Sequence, residues 1–464
     1  MIALLCVVAS SLIVASVPYW VPKRILALRM RLFTRINGSE GIAIPGELVS
    51  AEHFKQIYSH PAASGRSKGA ALSDLFWYWL SPGPEIHQEH LEPGERYEDV
   101  ARATRRFLAL PKGKSEGLAA QCAKHVLAGM AVRNVKLVRL RDPMMRVWAE
   151  FYYELIFGEH CPLAARELIV ANANDVVSAL KCCALRHMDK RLRLTEFLLA
   201  KVKAGHVAHP LPERLSIEEQ AFYLQGVFFN TAIVQMSEAM THLLMALAHH
   251  DHIQERLRND LGNNRYLDQI IAETLRQYPL FGIAHRITSN DIAVDDRTTI
   301  AKGSVLCFNY PDYHRSGFDD AERFDPDRWN SISGREVSYI PFGVTGNRPC
   351  PAQAMALVTM RAAAREILKR FIFCSSAAHT RSIPNRGPGL LVSRERGCDP
   401  LLRRALLLFI AVRDRWEEVG RGLVQLVLGT YMVWEARRLQ LCQRHFETAN
   451  CPTGGHVVQD WKPQ

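Results

Sequence analysis

The chain has 464 residues, 48% of them hydrophobic and 23% charged, with a formal net charge of +11; that is enough for one large globular domain or two ordinary ones and excludes a disordered or fibrous protein. Eleven cysteines without a Cys-x-x-Cys pair exclude the spacing of a disulfide framework or a zinc module and fit a reducing compartment. Lys and Arg are scattered rather than gathered on a helix among aromatics, which points away from nucleic acid and toward an anionic membrane surface, an acidic protein partner or a simply solvated basic face.

Residues 1–20 carry no charge, and about 20 apolar residues suffice to cross hydrocarbon. Lys23, Arg24, Arg29, Arg31 and Arg35 crowd the far side, whereas a cleaved signal places its basic residues first. The pattern predicts a transmembrane anchor over residues 1–22, with the body of the protein in the cytosol and a short irregular stretch after the anchor. The sequence LFWYWLSPGPEIHQEHLEPGERYEDV predicts a turn-rich connector into a helix from about Tyr97. From there to about Asp260 the apolar residues recur at three and four, so this half is mainly helical.

The longest helix is predicted over 216–250, opening on Ser216 and Glu219 in capping-box spacing. Its middle, AFYLQGVFFNTAIVQM, is apolar nearly all round and marks a helix that crosses a core, about 50 Å long. A shorter helix over 266–277 stops at Pro279, ITSNDIAVDDRTTIAKGSVLCFN reads as short strands with polar turns, and another helix begins just after Cys350. From about Gly397 two further amphipathic helical patterns follow.

The strongest chemical signal is YIPFGVTGNRPCPAQAM. Cys350 sits on a glycine-containing loop directly ahead of a helix, with Pro351 suited to the first helical turn. Free amides at that N-terminus favour a thiolate, which as an iron ligand pushes electron density onto the metal. Arg348 is placed to pair with a carboxylate such as a haem propionate. A buried free cysteine is the competing reading. Upstream, Glu273 and Arg276 lie three apart on one helical face, and Arg328 lies in FDPDRW; alone, each is the stuff of surface ion pairs.

In this order and spacing the Glu-x-x-Arg pair, the Pro-Asp-Arg-Trp segment and the cysteine loop resemble the cytochrome P450 family, over roughly residues 23–396 with the specific motifs within about 273–352. The resemblance implies a mainly α fold with a small β region, preceded by a single transmembrane helix, and a haem-thiolate catalytic domain over 23–396. It implies haem b held by Cys350 as axial and metal ligand, with Arg348 and Arg286 toward the propionates, His285 assisting and Phe342 beneath the ring. Glu273, Arg276 and Arg328 become the structural triad. It further implies monooxygenation of a small, largely apolar molecule, of secondary-metabolite or lipid-like kind, with O2. Electrons would come from NADPH and flavin in a separate flavoprotein reductase, since this chain has no flavin or nicotinamide fingerprint. The expected location is the endoplasmic reticulum membrane, with no nucleic-acid partner.

Three departures qualify that reading. The family's loop, F-G-x-G-x-R-x-C-x-G, has seven steps from Phe to Cys; here Phe342 to Cys350 is eight, with the extra residue around Val344 and Thr345 and Ala352 in place of the last glycine. The acid–alcohol pair of the long helix falls on Val234 and Gln235, so Gln235, Thr231 or Asn230 would have to act through water, or the substrate would have to supply the proton; Phe228, Phe229, Ile233 and Met236 are candidates to line a pocket beneath this helix, with plain core packing as the competing reading. An oxygen-independent haem-thiolate isomerase or dehydratase, or a non-catalytic haem-binding protein, would also accommodate this change. Residues 397–464 have no family counterpart: they read as an additional helical hairpin against a membrane or partner, or as a mispredicted gene end.

Overall fold

Residues 2–38, 41–65, 70–344 and 346–449 are described by a computed structural model. Helix α1 (Ile2–Asn37) takes in the expected anchor, Pro18 and Pro22 included, and continues beyond it to Asn37, where an irregular stretch was expected. The extension is held by packing: Ile25 and Phe33 lie against a C-terminal helix. Among the described residues α1 is the one helix long and apolar enough to cross a membrane.

Strand β1 (Ile42–Ile44) and helices α2 (Phe54–Ser59), α3 (Ala71–Leu80), α4 (Glu95–Leu108) and α5 (Lys112–Ala128) follow. In α4, Glu95 and Glu98 open the helix and Arg105 and Arg106 close it, each sign opposing the helix dipole. Next come β2 (Val135–Arg139), α6 (Arg141–Phe157), α7 (Leu163–Leu180), α8 (Met188–Lys203) and α9 (Ile217–Leu224), the last capped by the full Ser216–Glu219 capping box. The expected long helix is one continuous rod: α9 passes through a π-helical segment, Gln225–Ala232, into α10 (Ile233–His249). The chain goes on through α11 (Asp251–Asn259), α12 (Asn264–Gln277), β3 (Ile283–Ile287), β4 (Ile292–Ala293), β5 (Thr299–Ile300), β6 (Val305–Asn309) and α13 (Tyr310–Ser316). Helices α14 (Gln353–Arg370), α15 (Pro400–Leu439) and α16 (Leu441–Ala449), with β7 (Phe371–Cys374) and β8 (Pro388–Ser393), complete it.

The strands form small sheets at the margins. β6 pairs in parallel with β1 and antiparallel with β3, and β8 lies between β2 and β7, antiparallel to both. The large core is helical, built on α6 and α10 and including Trp148, Phe151, Phe228 and Leu243. Rod and connector approach closely at Gly226 and Gly83: a side chain on either would meet the other segment's backbone oxygen at 2.7 Å, which only glycine avoids.

A buried ion cluster ties three helices. Glu238 on α10 accepts from Arg141 at 2.7 Å and from Lys181, after α7, at 2.8 Å. Burial alone would raise this carboxyl, but Lys181 and Arg141 outweigh it and hold it down at about 2, from the usual 4.5. A depressed carboxylate adds stability above its unfolded value that is lost as pH falls toward the folded one. Acid unfolding is therefore expected to take a few kcal/mol from this site between about pH 5 and pH 2. Glu238→Gln should flatten that limb of a stability-against-pH curve; an unchanged limb would refute the assignment.

The region after 397 is not a hairpin of two equal helices. α15 runs for 40 residues across Gly420, Gly422 and Gly429, each of which costs about 1 kcal/mol in a helix. Packing explains the continuity at Gly429, where a side chain would meet Phe33 at 3.0 Å and Cys182 at 3.1 Å. α15 is fixed to the body by Asn385–Asp414 and Arg139–Glu417 hydrogen bonds, and the start of α16 by Asp74 accepting from the Cys442 amide.

Candidate active site

Cys350 lies at the end of the loop between α13 and α14, where its amide donates to the Phe342 carbonyl at 3.1 Å and closes the loop on itself. The loop turns through Gly343 at φ 75° and Arg348 at φ 49°; a non-glycine residue held in the left-handed region is a local strain that surrounding bonds must maintain. Here Asn347 supplies them, donating to the carbonyls of Tyr58 at 2.9 Å and Ala63 at 2.8 Å. Val344 and Asn347 pair across the tip; Thr345 lies outside the described residues. The amides of Ala352 and Gln353 point hydrogen bonds at the sulfur, yet burial outweighs them and pushes the thiol up to about 11. The expected helix-terminus effect is present but does not by itself ionise the group; a bound cation would have to do so.

Cys350 forms part of the wall of a cavity open to solvent, with about 1090 Å³ of empty space, together with Phe342, Arg348, Ala352, Thr231, Gln235 and Met236. Its roof is the π-helical segment and the first turn of α10, a distortion frequent at functional sites. Of the four apolar residues expected there, Phe228 and Met236 line the cavity, whereas Phe229 and Ile233 are buried in the core. Asn230 does not reach it: its amide donates to the Leu80 and Pro82 carbonyls at 3.0 and 3.1 Å. Thr231 spends its hydroxyl proton on the Gly226 carbonyl at 2.7 Å. Gln235 is half-buried and faces the cavity.

Arg348 lines the cavity and is buried, donating to the carbonyls of Ser64, Gln88 and Leu91 at 2.6 to 3.2 Å. Arg286 is buried on β3, with one nitrogen 3.0 Å from the Tyr58 hydroxyl, another 3.8 Å from Glu89, and its Nε without a partner. His285 points to the opposite side of the strand, against Ser73 at 2.9 Å, and neither it nor Arg286 is among the residues lining the cavity; Arg286 reaches the cavity only through its lining neighbours Tyr58 and Glu89.

The residues fit haem. Two buried guanidiniums near the wall leave positive charge for carboxylates to neutralise. The Gln88 Oε1 and Tyr152 hydroxyl on the wall are buried without partners among the described residues, and the sulfur stands at a helix start.

Behind the loop the predicted triad closes fully. Glu273, completely buried, accepts a two-point bond from Arg276 (2.8 and 2.9 Å) and one from Arg328 Nε at 3.1 Å. The Asp325 amide and Trp329 Nε1 donate to it as well, at 2.9 and 3.0 Å. His314 extends the connection: it accepts from the Ile340 amide at 3.0 Å, so its other nitrogen carries the proton donated to the Arg276 carbonyl at 3.1 Å. Burial lowers its pKa to about 4 and keeps it neutral. Sequence reasoning missed Trp329, although it stands beside Arg328, and missed His314, Asn347, Tyr58 and Gln88, which carry no local signal.

The family model described as "Cytochrome P450" matches residues 175–397. Cytochrome P450 3A12 of Canis lupus familiaris is 26% identical over 209 residues, covering 40% of this chain and 41% of that protein. Cytochrome P450 6a2 of Drosophila melanogaster is 30% identical over 181 residues, covering 34% and 35%. The chain thus spans about two fifths of the length of these curated relatives. Among solved structures, the retinoic-acid-bound cyanobacterial CYP120A1 superposes with a TM-score of 0.59 at 16% identity, over 74% of this chain and 88% of that one. A 6-coordinated cytochrome P450 from Thermus thermophilus gives 0.57 at 17%, over 74% and 90%. At such identities the structural likeness is one of fold.

Proposed function

This chain belongs to the cytochrome P450 family, and we propose that it is a membrane-anchored haem-thiolate monooxygenase acting on a small, largely apolar molecule. The observation that carries this is the meeting, in one cavity wall, of the Cys350 sulfur and the buried Arg348, beneath an apolar helical roof. Cys350 would hold the iron of haem b, Arg348 and Arg286 its propionates, and Phe342 would pack near the sulfur. Haem, when bound, supplies the oxidation of an unactivated C–H bond by O2, with electrons from outside the chain. NADPH and a flavoprotein reductase are the proposed source, docking on the basic surface.

The chain's own residues do the rest. Phe228, Met236 and Val227 exclude water and orient an apolar substrate. Gln235, where the family has an alcohol, offers an Nε2–H donor and an Oε1 acceptor and holds a water at the roof; having no titratable proton, it positions a donor rather than being one. Gln235→Leu is expected to cut product formed per O2 consumed by about a hundredfold, whereas Thr231→Val should change little, because that hydroxyl is already committed to Gly226. Equal effects would refute the assignment.

A second reading, an oxygen-independent isomerase or dehydratase, is favoured by Val234 and Gln235 standing where an acid–alcohol pair is expected. The test is the carbon monoxide difference spectrum of the reduced protein, then turnover with and without reductase. A thiolate-type spectrum and reductase-dependent product support monooxygenation, and reductase-independent turnover supports the second reading. Location in the endoplasmic reticulum membrane, with the catalytic body facing the cytosol and α1 as the single span, is part of the proposal.

A further inference from the structure

Three amide side chains lie buried behind the cavity roof. Asn172 on α7, and Gln225 and Asn230 at the start and near the end of the π-helical segment, are 0–1% exposed. Buried amides are costly unless their donors and acceptors are met, and here each one is. Asn230 Nδ2 donates to the Leu80 and Pro82 carbonyls, and Asn172 Nδ2 donates to Asn230 Oδ1 at 2.8 Å. Gln225 Nε2 donates to Asn172 Oδ1 at 3.2 Å and to the Arg191 carbonyl at 3.0 Å. Thr195 on α8 completes the chain, its hydroxyl donating to Gln225 Oε1 at 2.6 Å. Backbone carbonyls stand at both ends and can only accept, so the orientation of all three amides follows.

None of these groups lines the cavity; what they hold is the helix that does. Its lining residues are Val227, Phe228, Thr231, Ala232, Gln235 and Met236, two rows with a spacing of four. In an α-helix a step of four overshoots a full turn by about 40°, so a row from Val227 to Gln235 would swing by about 80° and leave the wall at one end. In the wider π turn a step of four stops short of a full turn, and the overshoot that follows in α10 offsets it. The π register thus keeps Val227, Thr231 and Gln235 in one line above the cavity. A π-helix is rare, and this one is gripped at both ends: Gln225 by α7 and α8, Asn230 by α7 and the connector.

We propose that Asn172 is a positioning residue for the oxidation: through Gln225 and Asn230 it holds the roof in π register, and so keeps Gln235 and its water over the substrate. The proposal rests on the monooxygenase reading above and on the part given there to Gln235.

The test compares haem-loaded Asn172→Leu with haem-loaded Leu257→Ala, a core substitution on α11 outside the cavity wall, at a temperature where both are folded. Leucine has nearly the volume of asparagine but strands Asn230 Oδ1 and gives Gln225 no acceptor. Amide hydrogen exchange in residues 226–235 is expected to quicken by about tenfold, and product formed per O2 consumed to fall roughly ten- to hundredfold. Leu257→Ala should keep the parent's product-to-O2 ratio and quicken exchange in the roof no more than elsewhere in the core. If Asn172→Leu does not take up haem, Thr195→Val decides; it removes one donor to Gln225 and should move both readings the same way by a smaller factor. Equal losses of product per O2 in the roof and core variants would make Asn172 structural only and overturn the proposal, as would parent-like exchange in the roof of Asn172→Leu. A parent chain with a thiolate-type carbon monoxide spectrum but no O2-dependent product would instead remove the monooxygenase reading, and the proposal with it. The exchange data, which need no turnover, tell the two failures apart.

Discussion

Glu273→Ala is expected to leave little folded, haem-competent protein. Every group around this carboxylate is a donor: two nitrogens of Arg276, Nε of Arg328, the Asp325 amide and Trp329 Nε1. Removing the acceptor leaves Arg276, whose side chain is 1% exposed, without a carboxylate, and leaves Arg328, 7% exposed, with Asp320 alone at 2.6 Å. Breaking a buried pair from one side costs about 3–5 kcal/mol, a large part of the roughly 5–15 kcal/mol that holds a typical domain together. Glu273→Gln should do little better, because whichever oxygen is replaced by NH2 then faces donors only. Thermal unfolding and haem retention check both variants. The comparison is Asp189→Ala, which removes the exposed Arg193 pair and should move stability by no more than about 0.5 kcal/mol. A Glu273→Ala chain as stable as that control would refute the role given to the cluster.

The difference between those two ion pairs shows what could and could not be seen in the amino-acid order. Glu273–Arg276 and Asp189–Arg193 look alike as helical charge pairs; only the later Pro-Asp-Arg-Trp segment and the cysteine loop single out the first. Local chemistry of this kind was legible: the capping box at Ser216, the strands after α12, and the cysteine ahead of α14. That His285 and Arg286, neighbours on β3, face opposite ways was open to inference from the sequence. The end of the anchor and the unity of α15 were not legible, because each is decided by the other helix. Pro22 and Gly429 are poor helix residues until Ile25 and Phe33 pack against α15. Nor could the state of Cys350 be read from its position: its helix terminus argues for a thiolate, and the apolar wall of a cavity assembled from distant segments argues harder for a thiol.

Cys350→Ala should give the opposite phenotype to Glu273→Ala. Cys350 is half-buried and outside the hydrophobic core clusters of the described residues, and the closure of its loop is a backbone bond from residue 350 to Phe342 that alanine retains. Stability is therefore expected to stay within about 1 kcal/mol of the parent. Function should not survive, because substitutions of groups that merely support a ligand already cost about 10–100-fold and this one removes the ligand itself. The reduced carbon monoxide complex should lose its thiolate-type band and turnover should fall to background, while the unfolding curve keeps its shape. Cys350→Ser separates volume from chemistry: an oxygen of similar size and position should restore packing but not the band. If either variant kept the thiolate-type spectrum, another sulfur would have to be the ligand. No other cysteine is among the residues lining this cavity, so that result would overturn the placement of the site as well as the role of the residue.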